Sequence, residues 1–139
     1  MDISDSHKQA LVKEIKFIVK KMDENRDAFS KLYYFSGIFG FLNRLLNQEY
    51  HPDLVIAHLI FKTAHKEFMT RLQLLVKEPD KTIQITDEQF KKLSVLSKEF
   101  GKKIEKNEHI FDTLTKITVL TYSTSGNGFY LMQKGILKI

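Results

Sequence analysis

Between Asp5 and Asn25 the apolar residues return at every third or fourth position, as Leu11, Val12, Ile15, Ile18, Val19 and Met22. That period lines them along one side of an α-helix and leaves Lys13, Glu14, Lys16, Lys20 and Lys21 on the other. The same period fills most of the chain and is broken at Pro52 and Pro79. A chain made of such segments has one apolar stripe per helix to hide, and hides it by packing helix on helix.

The segment from Asp27 to Gln48 carries apolar residues nearly all round. Phe29, Leu32, Tyr33, Phe39 and Leu46 make one stripe, and Tyr34, Phe35, Ile38, Leu42 and Leu45 a second. A helix of this kind needs cover on most sides, either inside the bundle or across a subunit interface. Ser36, Gly37 and Gly40 would let another helix come close, which offsets the roughly 1 kcal/mol that each helical glycine costs.

A third helix starts at Pro52 and Asp53, residue types suited to a first turn. Its core stripe is Leu54, Ala57, Phe61, Ala64, Phe68, Leu72 and Leu75. After a loop over Glu78–Ile85, Thr86 with Gln89 is placed to cap a fourth helix that buries Phe90, Leu93, Leu96, Phe100 and Ile104. Ser6 with Gln9 reads as a similar box for the first helix, and Asn107 as the cap of a fifth carrying Ile110, Phe111, Leu114 and Ile117. The Thr, Ile, Val and Tyr content of Ile117–Tyr122 and Phe129–Ile139, on either side of a Ser/Gly/Asn turn, suits a helix ending near Tyr122 or a terminal hairpin. The expected fold is all-α: an antiparallel bundle of four long helices plus a short C-terminal helix or hairpin, in one domain over residues 1–139.

Composition removes several function classes. The absence of cysteine excludes disulfides, thiolate zinc, iron–sulfur clusters and a cysteine nucleophile. Eleven Phe and five Tyr argue against disorder. The start, Met-Asp-Ile-Ser-Asp-Ser, is acidic and polar, unlike a secretory signal. The apolar run Leu32–Asn43 falls short of the roughly 20 residues a membrane span needs, and the uncharged run Ile117–Gln133 is broken by Ser, Gly and Asn. We expect a soluble, cytoplasmic protein without cofactor.

Four groups of residues invite a chemical reading. The aromatic and aliphatic set Tyr33, Tyr34, Phe35, Ile38, Phe39, Phe41 and Leu42 exceeds what one buried helix face accommodates. It points to a non-enzymatic interaction protein, self-associating as a homodimer or binding another protein. A second reading is metal binding, by His58 or His65 with carboxylates from another helix, or by Glu105, His109 and Asp112. On a continuous helix those last three share a face, but the Glu105 link is lost if a new helix starts at Asn107. His51, His58 and His65 follow at seven-residue steps, about 10.5 Å of rise each, so one ion cannot be held by that helix alone. A third reading is nucleic-acid binding by Lys91, Lys98 and Lys102, which share one face of the fourth helix in a half of the chain, 81–139, that has no arginine.

The fourth group is Arg44 and His51. Their spacing resembles the Arg-x(4–6)-His signature of the small helical ribonucleases of the HEPN class. On that resemblance His51 would be the acid–base group and Arg44 would steady a phosphate. It covers these two residues alone, and no family is assigned on it. The turn Ser123–Gly128 lacks the lysine and spacing of a nucleotide-binding loop.

Overall fold

The computed structural model describes residues 1–77 and 87–124, apart from the side chains of 74–77 and 123–124. The helices are α1 (Asp5–Glu24), α2 (Ala28–Leu46), α3 (Pro52–Lys77), α4 (Asp87–Glu105) and α5 (Phe111–Thr124). No strand occurs among the described residues. The helices close into a ring in which α1 lies between α2 and α4, and α5 lies between α3 and α4. α5 is therefore part of the wall: of the two expected C-terminal elements the helix is present, and it packs with the other four in a five-helix assembly. A hairpin beginning at Ile117 is excluded because Ile117–Tyr122 is helical. Thr118 and Thr121 return their hydroxyls to the carbonyls of Leu114 and Ile117 at 2.9 and 2.7 Å, so their polar groups are satisfied within the helix. Burial of Ile117 and Leu120 then outweighs the local strand preference. The loop after Lys77, the Thr86 cap, residues 125–128 of the polar turn and the Phe129–Ile139 tail lie outside the described residues.

Phenylalanine fills the middle of the ring. Phe35 of α2 meets Phe61 of α3 with ring centroids 5.6 Å apart, and Phe61 meets Phe100 of α4 at 4.9 Å. Further along, Phe68 of α3 stands edge-on to Phe90 of α4 at 5.3 Å. All five are buried. These rings link α3 and α4 from opposite sides of the core, although the two helices do not run side by side.

Where α1 meets α4 the residues are small. Ser94, Ser97 and Gly101 are buried along one side of α4. A Cβ on Gly101 would stand 2.9 Å from Ile15 Cγ2, so only glycine permits this approach. Ser94 donates its hydroxyl to Asp23 of α1 at 2.5 Å. Gly37 has a related role against α1, where an added Cβ would meet Ile18 Cδ1 at 3.0 Å.

Several helix ends are closed by groups the sequence pattern did not single out. Ser6 lies inside α1, so the Ser6–Gln9 box does not form. Instead Glu49, from the α2–α3 loop, accepts the Ser4 N–H at 2.8 Å and the Ser4 hydroxyl at 3.0 Å, and also pairs with His7. The His7 contact, with those from Ser4, holds the Glu49 carboxyl below its ordinary range. Asp27 caps α2 through the Ser30 N–H at 3.0 Å. Asn107 does not start α5 but ends α4: its φ is 57°, its N–H bonds Ile104 O at 3.2 Å, and the Glu108 N–H bonds Lys103 O at 2.8 Å. This is a Schellman closure, with asparagine in the left-handed position usually taken by glycine.

Two substitutions test this packing by urea denaturation. Gly101→Ala gains about 1 kcal/mol of helix preference but overpacks Ile15 at a cost of about 1–3 kcal/mol, so a net loss of roughly 1 kcal/mol is expected. Phe61→Ala removes the ring that touches both Phe35 and Phe100 and is expected to cost about 3–5 kcal/mol.

Candidate functional site

The two histidines singled out on α3 enter an aromatic seam with α2. His65 is half-buried and lies nearly parallel to Phe35, at 12° with centroids 6.5 Å apart, and edge-on to Phe39 at 5.3 Å. His58 meets the other side of Phe39 at 6.4 Å. Burial holds both imidazoles below the ordinary value of 6.5, with Lys62 adding to the effect at His58. Their neighbours in the seam are rings rather than carboxylates. Among the described residues no group of three or more histidine, aspartate or glutamate side chains is arranged to hold a metal ion.

The Glu105–His109–Asp112 cluster is dispersed by the turn at Asn107. Glu105 pairs with Lys16 of α1 at 3.0 Å, whereas Asp112 pairs with Lys103 at 3.6 Å and Lys116 at 3.3 Å. Lys116, foremost, lowers the Asp112 carboxyl and is itself raised by it. His109 is exposed in the connection between α4 and α5. These carboxylates tie helices together: Glu99 accepts the buried Thr113 hydroxyl at 2.9 Å and pairs with Lys116 at 3.6 Å.

Arg44 and His51 also have separate partners. The Arg44 guanidinium lies over the Phe41 ring, 5.6 Å from its centroid. His51 Nδ1 accepts the Asp53 N–H at 3.0 Å, which makes His51 the cap of α3 and explains why a histidine precedes Pro52. Its other ring nitrogen, Nε2, faces the Asp2 N–H at 3.4 Å, so both nitrogens are turned to the backbone of their own chain.

The α2 set divides. Phe35, Ile38 and Leu42 are 0% exposed and belong to the core of their own chain, so they are unavailable to a second one. Tyr34, Phe39 and Phe41 are half-buried, and Phe39 is occupied with the α3 histidines. Tyr33 is 72% exposed and stands edge-on to Tyr34 at 5.4 Å. Seven residues on, Gly40 has open space around it: an added Cβ would meet only the end of the Arg44 side chain, at 3.6 Å. Ser36 lies one turn before Gly40 and bonds its hydroxyl to Tyr33 O at 2.5 Å. Tyr33, Ser36, Gly40 and Arg44 therefore form an outward strip on α2 that no other helix covers among the described residues.

The three α4 lysines are exposed, and none has an ion-pair partner among the described residues. The fold places Lys98 and Lys102 across a furrow from Lys16 and Lys20 of α1. Nothing along the chain signals that juxtaposition, because it depends on α1 and α4 being neighbours. Among the described residues no helix is long and apolar enough to cross a membrane. No protein-family model matches the chain, and neither does a curated protein or a solved structure.

The lowered histidines give a pH prediction. The unfolded chain binds more protons than the native one between the lowered values and 6.5. Stability is then complete above about pH 6.5 and falls as the pH drops through the native values. His65→Phe keeps the stacking and removes the titration, so its thermal midpoint relative to the parent should be higher at about pH 5 than at about pH 8.

Proposed function

We propose that this protein is a non-enzymatic interaction module that self-associates through the outward strip of α2. The observation that carries the reading is Gly40. A glycine within a helix costs about 1 kcal/mol against alanine, and here no close contact among the described residues offsets that cost. A second helix crossing at Ser36 and Gly40 would offset it by close backbone approach. In a two-fold arrangement each copy presents the same strip, so an exposed Tyr33 meets the Gly40–Arg44 stretch of its counterpart. Arginine over a tyrosine ring is a favourable contact in such a pairing. A crossing of two such helices buries on the order of 1,000 Å², at the low end for specific interfaces, and suits a dimer in micromolar equilibrium.

Sedimentation equilibrium at tens of micromolar tests the reading. The parent is expected to dimerise, and Tyr33→Glu to be monomeric with unchanged helix content. Gly40→Ala should raise unfolding stability by up to about 1 kcal/mol in dilute monomer while weakening the dimer. A monomeric parent at these concentrations, or a dimer indifferent to both changes, overturns the proposal.

A further inference from the structure

The α1–α4 side of the molecule carries a basic furrow that the α2 reading leaves unused. At its middle is a hollow of about 470 Å³ floored by Ile15, Val19 and Gly101, with Lys16, Lys20, Asp23 and Glu24 from α1 on one lip and Lys98 and Lys102 on the other. A hollow of about 810 Å³ shares Val19, Asp23 and Lys98 with it and adds Arg26, Lys31 and Lys91. At the other end, one of about 580 Å³ shares Lys16 and adds Lys8 and Lys13. Together they follow α1 from Lys8 to Asp23, roughly 22 Å at the rise of an α-helix.

Among the described residues six acids also line the three hollows; Glu24, Glu88 and Glu105 are paired with lysines, whereas Asp5, Asp23 and Asp87 keep their charge, against nine basic residues along the furrow. Glu24 pairs with Lys20 and Lys21, Glu105 with Lys16, and Glu88 with Lys92. Asp23 accepts the Ser94 hydroxyl. Asp5 and Asp87 stand in first helical turns, where negative charge faces the positive end of the dipole. Lys13, Lys91, Lys98 and Lys102 have no acidic partner among the described residues. The three on α4 are spread over about 16 Å of helix.

From this we infer that the α1–α4 furrow binds the phosphodiester backbone of a nucleic acid. A row of separate ammonium groups matches a ligand whose anions repeat, and one strand of a duplex presents roughly six phosphates over 22 Å. Among the described residues the aromatic ring lining the furrow is Phe90, only 3% exposed, so they offer no stacking platform to bases. Lysines contact phosphate as point charges. Recognition is accordingly of the backbone and not of sequence. The inference is independent of self-association through α2.

Fluorescence anisotropy with a labelled duplex and a labelled single strand of equal length provides the test. With three to four phosphates neutralised, the duplex affinity should fall about a hundred-fold between 50 and 200 mM salt. Lys98→Gln with Lys102→Gln should weaken binding and reduce the logarithmic salt slope by about 2, whereas Lys62→Gln with Lys66→Gln on α3 should leave both unchanged. Tighter binding of the duplex or of the single strand shows which form of the backbone the furrow fits. Absence of salt-dependent binding to both, equal loss from the two lysine pairs, or equal binding of poly-glutamate overturns the inference.

Discussion

The ring pairs that join α3 to α4 set the dimensions of this molecule. Phe61 against Phe100 and Phe68 against Phe90 span the interior from one side to the other. Helices with phenylalanine between them cannot draw as close as helices packed on alanine or glycine, and close-packed interiors leave no void to be tolerated. The opened ring is then completed by α1 and α2 on one side and α5 on the other. The small residues are placed in complement: Gly101, Ser94 and Ser97 bring α1 tightly onto α4, and Gly37 accepts Ile18 of α1. Large residues in the middle and small ones at a seam are two parts of one packing solution.

The helix ends show how local and distant chemistry divide the work. Asp27 and His51 satisfy N–H groups of the helices they begin, as short-range capping does. The start of α1 is held from the α2–α3 loop, where Glu49 receives Ser4 and His7. A carboxylate there also sits at the positive end of the α1 dipole, so one group fixes the loop and relieves the helix end. On the opposite side Glu99, Lys103, Asp112 and Lys116 bind α4 to α5 across the turn made by Asn107. The carboxylates that resemble part of a metal set along the chain meet lysines instead, Glu105 with Lys16 and Asp112 with Lys103 and Lys116, while His109 stays exposed.

The α2 strip and the α1–α4 furrow lie on different helices. The outer strip of α2 sets Tyr33 and Arg44 on either side of a glycine that no packing among the described residues uses, while the furrow between α1 and α4 carries lysines and two acids over an aliphatic floor. On the two proposals made for them, the separation would let one face engage a second copy while the other engages a nucleic-acid backbone.

The amino-acid pattern by itself determined the helices and the core. Leu11, Ile15, Phe61, Phe68, Phe100 and Ile104 were legible as buried because a 3.6-residue period leaves a signal within one or two turns. Pro52 marked the start of α3 for an equally local reason, its fixed φ and missing N–H. The partition of α2 was decided only in three dimensions: Phe35 and Tyr33 are alike in hydrophobicity, yet one is 0% and the other 72% exposed. Asn107 ends a helix rather than beginning one because left-handed backbone, not side-chain capping, governs that position. The lysine furrow, too, exists only because Gly101 lets α1 lie against α4, and charges brought together by two helices far apart in sequence leave no periodic trace along it.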